Sequence, residues 1–409
     1  MKKKPLVLLG VLVALQSDLA LSSCAFGHYD VTFFNWGEYI LDDIVENFEA
    51  DTGYRVKIQT FQDNEGMLTK LDTSSYDIVC PSDYAIEELY QEGRIRKLDF
   101  SRFQYYSKDR LIPALRENLE AMDKPVHNEQ GDEILHRFPF LDYAVPYTWG
   151  EVGIIYDKNT VTEEEMEEKG WDILHDSTKK IAIYDSSRDV YSIALAALGY
   201  NFTTPTPAQL DEADQWLRQL PKDTRFLTDQ LLEDMPAHHF DLALDYSGDA
   251  FYSIMNDLHP DEDGNSTLGF YIPKAREGSE TRTNIFSDSL VIMNNCTNTE
   301  AAYAFIDYLS KMDAENRNYV AAENLAEIAY VTPFSDAMEV LTWDKEEDNP
   351  DFPRYTYDRD ADPTGAFADI KDDYDLGKVA SDKDHFYRYD DKLKAEMENR
   401  YENLKASLS

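Results

Sequence analysis

Residues 31–80 read VTFFNWGEYILDDIVENFEADTGYRVKIQTFQDNEGMLTKLDTSSYDIVC, and the pattern of this stretch decides the fold class. Val31 to Asn35 is a short apolar run, as expected of a buried strand. Leu41 to Thr52 carries Ile44, Val45 and Phe48 at helical spacing and stops at Gly53. Arg55 to Thr60 alternates as a strand does, Asn64 to Thr73 reads as a helix, and Tyr76 to Cys80 is again a strand. Strand, helix, strand, helix, strand with short links builds a parallel sheet with helices on its faces. Such sheets bind ligands beyond the carboxyl ends of their strands. Asn35-Trp36-Gly37-Glu38-Tyr39 and Pro81-Ser82-Asp83-Tyr84 directly follow the first and third strands. Both segments are therefore expected on one edge of one sheet.

A second αβ set follows. Val152–Tyr156 and Lys180–Tyr184 read as strands, and Asp185 to Asp189 leads into a helix from Val190 to Leu198 that Gly199 closes. Phe240–Asp245, Leu268–Ile272 and Ser289–Met293 read as strands and Thr299–Leu309 as a helix. The economical architecture is two αβ lobes with a cleft between them. Residues 101–145 and 343–385 are rich in Asp, Tyr and Pro and read as surface loops or lobe decorations. Asp390 to Ser409 reads as a charged surface helix.

Composition narrows the function. The 409 residues include 39 Lys+Arg against 80 Asp+Glu, a formal charge of −41. Nucleic-acid binding needs clustered basic residues and is disfavoured. A content of 43% hydrophobic and 13% aromatic residues excludes a wholly disordered acidic chain. Three cysteines exclude a disulfide framework, and Cys80 and Cys296 read as buried thiols. Lys2 to Lys4, the apolar run Pro5 to Leu15 and the segment Leu21-Ser22-Ser23-Cys24 read as a secretory signal, too short to span a bilayer. Its end resembles the lipobox of bacterial lipoproteins, which implies cleavage before Cys24 and diacylation of that cysteine. The sequence has no G-x-S-x-G, P-loop or H-E-x-x-H motif. His238-His239 reads as a loop-to-strand boundary and Asp261 to Asn265 as a solvated turn.

The segments that follow strands mix aromatics with carboxylates: Trp36, Glu38 and Tyr39; Ser82, Asp83 and Tyr84; Asp185 and Asp189; Asp245, Tyr246 and Asp249; Phe286 and Asp288. Ring faces attract cations, and carboxylates accept bonds from ammonium groups. Such a cleft suits an elongated polycation, with its methylenes on rings and its ammonium ends on acids. The plainer alternative places the rings in the core and the acids at helix caps, with Asp185 or Ser186 as an N-cap. For any one residue, both readings stand.

The motifs F-x-N-W-x-E-Y at Phe33 to Tyr39, Y-D-x-V-x-P-S-x-Y at Tyr76 to Tyr84 and V-P-Y-x-W-G at Val145 to Gly150 occur in order. They are followed by Asp185 to Tyr191, Ala194 to Tyr200, Ser287 to Leu290 and Tyr330 to Pro333. In this the chain resembles the spermidine/putrescine-binding proteins of bacterial ABC importers, over about Thr32 to Thr332. The resemblance implies an α/β, two-lobe periplasmic-binding-protein fold of type II, each lobe a mixed sheet flanked by helices. It implies a signal segment 1–23 and a lipidated linker 24–30. Lobe one would be 31–150 with 287–335, and lobe two 151–286 with 336–409. By position, Trp36, Glu38, Tyr39, Ser82 and Tyr84 would be cleft residues of lobe one. Asp185 and Asp189 would meet amines, Tyr246 and Phe286 stand where the family has tryptophans, Asp288 would be the main ammonium partner, and Tyr330 a cleft tyrosine. A late cleft glutamine has Tyr387 as its nearest counterpart. Ser186 replaces an Asp of spermidine-preferring members, which would tilt preference toward the shorter diamine unless Asp185 compensates.

The implied protein is not an enzyme and needs no cofactor or metal. It is a lipid-anchored, extracytoplasmic monomer that passes putrescine, spermidine or both to separate permease and ATPase chains. The rival readings are a binder of iron, a sugar or a peptide on the same fold, or a surface adhesin. Many iron binders cluster tyrosines, and this chain has 27.

Overall fold

In the computed structural model, which describes residues 29–37, 39–127, 131–228, 230–262, 264–313, 318–328, 330–341, 384–388 and 391–408, the opening alternation is present. It runs β1 (Val31–Trp36), α1 (Asp42–Thr52), β2 (Val56–Phe61), α2 (Asn64–Leu71), β3 (Ile78–Val79) and α3 (Asp83–Gln91). Next come α4 (Pro113–Ala121), β4 (Val126–His127), β5 (Glu133–Leu135), the long β6 (Ala144–Asp157), α5 (Glu163–Lys169), β7 (Ile181–Tyr184), α6 (Ser187–Leu198) and α7 (Pro207–Leu217). They are followed by β8 (Arg225–Leu227), α8 (Leu231–Asp234), β9 (Leu242–Tyr246), α9 (Ser247–Met255), β10 (Leu268–Tyr271) and β11 (Asn284–Ile292). The chain finishes with α10 (Thr299–Leu309), α11 (Val320–Glu327), α12 (Ser335–Leu341), β12 (His385–Phe386) and α13 (Asp391–Leu408).

Local chemistry sets the boundaries. Helix α1 ends because Gly53 adopts φ 77°, a left-handed conformation open to glycine, and returns its N–H to Glu49 O at 2.9 Å. Asp63 caps α2 by accepting from Gly66 N at 2.6 Å. Ser186 caps α6 by accepting from Asp189 N at 3.3 Å, so this helix starts at Ser187 rather than Val190.

The strands form one path, β2-β1-β3-β11-β6-β9-β7-β8. β1 is parallel to β2 and β3, whereas β11 is antiparallel to β3 and β6, so the sheet is mixed. β6 is buried over all 14 residues. Up to Glu151 it pairs with β11, and from Val152 it pairs with β9. The two halves of the molecule are thus joined through the backbones of β6 and β11. Beyond them, β7 pairs in parallel with β9 and β8. Phe33, Phe48, Ile78 and Phe305 centre the first core, and Tyr191, Phe202, Trp216 and Leu242 centre the second. Helix α12 adds Ala337 and Met338 to the first core. Helix α13 packs on α6 and α7 and adds Met397, Tyr401 and Leu404 to the second. This is the two-lobe type II periplasmic-binding architecture.

Two expectations need correction. Residues 101–145 are not decoration, because Leu111, Leu115, Leu119, Phe138 and Phe140 are buried in the first core. Their Asp and Tyr content hid a Leu111, Leu115, Leu119 repeat at helical spacing. Tyr387 is fully buried in the second core, edge-on to Phe202, with its hydroxyl on Met397 Sδ, and is absent from the cleft lining. The segment 343–383, the signal segment and Cys24 lie outside the described residues. Cys80 and Cys296 are buried free thiols. Among the described residues, no helix is long and apolar enough to cross a membrane.

Candidate functional site

A cavity of about 640 Å³ lies between the halves. Its first wall comes from the turns that leave β1 and β3. Trp36 packs on Phe61 with ring centroids 4.5 Å apart, and Tyr39 meets Tyr330 edge-on at 4.7 Å. Asp288, near the middle of β11, is held between them. Its Oδ2 accepts from the Tyr39 hydroxyl at 2.6 Å and its Oδ1 from the Ser82 hydroxyl at 2.7 Å. Asn64 fixes Ser82 from behind, donating to its Oγ at 3.0 Å and accepting from its N–H at 3.2 Å. Asp288 is 5% exposed, and burial raises its pKa above the ordinary carboxylate value against the pull of the Ser82 and Tyr39 bonds and of Arg188.

The second wall is built on β7, α6, β9 and α9. Tyr246 meets Phe286 edge-on at 4.9 Å and packs on Tyr184 at a tilt at 4.8 Å. Phe286 lies against Gly150, where a Cβ would come within 2.8 Å of the ring. Asp189 collects bonds from the Tyr246 hydroxyl at 2.6 Å, from Asn284 Nδ2 at 2.6 Å and from Arg188 Nη2 at 3.1 Å. Asp249 accepts from the Tyr330 hydroxyl. Asp245, one residue before Tyr246, is buried, and burial and then Asp249 push its pKa well up.

Three contacts cross between the halves. The Arg188 guanidinium lies 4.6 Å above the Tyr84 ring, and its Nη1 is 3.7 Å from Asp83 Oδ2. Neither of those two atoms has a hydrogen-bond partner among the described residues. Burial raises the Asp83 pKa to about 7, while Arg188 and the Ser287 N–H hold it back. Third, the Tyr330 ring rests on Gly248, where any Cβ would overlap it. Three of the cleft tyrosines thus serve three different carboxylates: Tyr39 serves Asp288, Tyr246 serves Asp189 and Tyr330 serves Asp249. Burial first, then these carboxylates, raises all three phenol pKa values well above 10.

Of the residues expected from the sequence, Trp36, Tyr39, Ser82, Tyr84, Asp185, Asp189, Tyr246, Phe286, Asp288 and Tyr330 all line this cavity. Glu38 lies outside the described residues. Asp185 reaches the cavity but is bound by Lys405 Nζ at 3.1 Å and 3.3 Å. Sequence reasoning passed over Asn64, Arg188 and the α13 residues Tyr401, Glu402 and Lys405. For Asn64 the available signal was its place at the start of α2, just beyond the end of β2 and on the same edge as Ser82. For α13 there was none, since it enters the cleft from about 200 residues downstream of Asp185. His238-His239 lies in the loop that leads into β9, the loop-to-strand boundary expected, and His238 adopts φ 55° and bridges Asp157 and Asp257 at 2.9 Å each.

Comparison with known proteins follows the same lines. The spermidine/putrescine-binding periplasmic protein of Salmonella typhimurium is 28% identical over 327 residues, 78% of this chain and 82% of its own. A putrescine-binding periplasmic protein of Pseudomonas aeruginosa is 27% identical over 76% of this chain and 78% of its own. The solved substrate-binding protein of a spermidine/putrescine ABC transporter from Streptococcus pneumoniae superposes with a TM-score of 0.67 at 24% identity, covering 93% of this chain and all of the other. The signature of the bacterial extracellular solute-binding proteins matches residues 43–352. With its two lobes, shared strands and enclosed aromatic-acidic cleft, the chain belongs to that family.

Proposed function

We propose that the protein captures a short polyamine, putrescine or spermidine, in this cleft and hands it to the permease subunits of an ABC importer. Asp288 carries the reading. It is a buried carboxylate whose direct partners are two neutral hydroxyls, and no cation lies within ion-pair distance of it among the described residues. A ligand ammonium supplies the missing positive charge, and charge-assisted bonds of this kind are the strong ones. The rings of Trp36, Tyr39, Tyr246 and Phe286 suit the methylene segment and the ammonium faces. The names of the Salmonella and Pseudomonas relatives support the same ligand class. Ferric iron fits less well, because the three tyrosines point to different acids and their raised pKa values work against phenolate ligation.

Capture follows from the two walls. A diamine that bridges Asp288 on the first wall and Asp189 or Asp249 on the second gains its full contacts only when the halves are together. It therefore draws the population toward that form. Arg188 on Asp83 and Tyr84, and Tyr330 on Gly248 and Asp249, supply protein contacts that the joined form adds. The formal charge of −41 raises the encounter rate with polycations. In this reading the protein is a non-enzymatic, extracytoplasmic monomer. Cleavage of the signal would leave it tethered by a lipid on Cys24.

Calorimetric titration with putrescine, spermidine and spermine, alongside Asp288→Ala, tests the proposal. Saturable binding that the variant loses is the expected result. No heat with any of the three amines on folded, ligand-stripped protein would overturn it.

A further inference from the structure

A cation of the chain itself, Lys405 of α13, is part of the cleft lining. Contacts fix the order along it. Asp288 stands two residues from Phe286, Phe286 meets Tyr246, and Tyr246 donates to Asp189. Asp189 sits in the first turn of α6, and Asp185 lies in the segment between β7 and the Ser186 cap of that helix. At Asp185 the α13 helix comes in. Lys405 Nζ lies 3.1 Å and 3.3 Å from the two Asp185 oxygens, 2.9 Å from Glu402 Oε1 and 4.7 Å from the centre of the Tyr401 ring. Lys405, Glu402, Tyr401 and Asp185 all line the same cavity as Asp288.

A primary ammonium on a flexible methylene chain, set on a carboxylate pair and an aromatic face, has the chemistry of a polyamine end. We infer that Lys405 is a tethered stand-in for the far ammonium of a longer polyamine, and that it limits the cleft to a short diamine. The inference rests on the polyamine reading and adds the residue that sets ligand length. Spermidine extends a diaminobutane unit by a further aminopropyl group. With one ammonium on Asp288 and the next on Asp189, its third would fall at Asp185, where Lys405 already stands. Like charges there repel, and the ring and carboxylates are taken. Arg188 does the same on a smaller scale, filling the Tyr84 face and one side of Asp189 with the chain's own guanidinium.

The test is calorimetric titration of the full chain and of Lys405→Met with putrescine and spermidine, read as the ratio of the two Kd values. Removing the cation frees the partly buried Asp185 carboxylate and the Tyr401 ring. The ratio is expected to move toward spermidine by about tenfold. Lys405→Arg keeps a cation and is expected to gain less, and Lys405→Met with Asp185→Asn is expected to lose the gain. A thermal melt of each variant verifies that α13 is still seated. If the parent binds putrescine and the ratio in folded Lys405→Met moves less than twofold, the length-limit inference is overturned and the polyamine reading stands. If Lys405→Met unfolds, the ratio in Lys405→Arg with Asp185→Asn decides by the same criterion. If the folded parent binds neither amine, both readings fall.

Discussion

Asp288→Asn separates the charge of the cleft carboxylate from its shape. The parent side chain is 5% exposed and takes the Ser82 and Tyr39 hydroxyls at 2.7 Å and 2.6 Å. The amide keeps the volume but carries no charge for a ligand ammonium. Hydrogen bonds to charged groups are worth roughly 1.5–3 kcal/mol, so the Kd for putrescine is expected to rise about 10- to 150-fold. Stability should move the other way. The folded pKa of Asp288 lies above its unfolded value, because burial disfavours the charge. The stability linked to that shift is full below the unfolded pKa and is lost as pH rises through the folded one. Above the folded pKa the ionised group is therefore a net cost, which the amide removes. The substitution also takes away one acceptor, but Tyr39 has Thr148 Oγ1 at 3.1 Å as an alternative. The expected outcome is a large loss of affinity by calorimetry, with a Tm at pH 7 that holds or rises. A Kd within threefold of the parent would refute the ammonium role. Weak binding together with a Tm drop of more than about 4 °C, equivalent to ~1 kcal/mol or more, would show that Asp288 acts by holding the fold.

Three further outcomes follow from the geometry. Asp83 is raised to about 7, so lowering the pH from 8 to 6 protonates it and weakens its attraction for Arg188 across the cleft; putrescine affinity is expected to fall over that range, and the inflection is expected to vanish in Asp83→Asn. Gly248→Ala puts a methyl into the Tyr330 ring, so it is expected to weaken binding about tenfold by holding the halves apart, while the overpacking cost of ~1–3 kcal/mol appears as a lower Tm. Burial lowers the His238 pKa, but its bonds to Asp157 and Asp257 outweigh this and leave it raised; the stability it adds is full below about pH 6.5 and is lost as pH climbs through the raised value, so Tm is expected to fall from pH 6 to 8.5 in the parent and to be flatter in His238→Gln.

The cleft was legible in the sequence where chain direction alone places a residue. Trp36, Tyr39, Ser82 and Tyr84 follow strand ends, Asp189 opens a helix and Tyr246 ends a strand, and a parallel αβ unit carries such positions to one edge. Asp288 and Phe286 are different. They lie inside β11, and only the crossing of that strand from one half to the other exposes them to the cleft. The strand was expected from Ser289, yet it begins at Asn284, because Asp288 and Ser287 look like a turn until their buried partners are known. Asp245 was grouped with the cleft acids but faces the interior and is absent from the cavity lining. Arg188 and Lys405 were invisible as site residues for a physical reason. A cation in a polycation cleft runs against the pattern being sought, and its partners Asp83 and Asp185 are set by tertiary contacts between remote segments.

The shared strands have a mechanical consequence. A loop hinge swings freely about its backbone torsions, but here the link is a hydrogen-bonded antiparallel pair, β6 with β11, buried throughout. Parting the halves has to flex that ribbon near Glu151, where pairing passes from β11 to β9. Arg282 clamps the same point, bonding Glu151 at 3.0 Å and Asp384 at 2.6 Å. Opening is then an elastic bend with a restoring force rather than a free swing. The strand pairing that joins the halves is also what sets the register of one wall against the other.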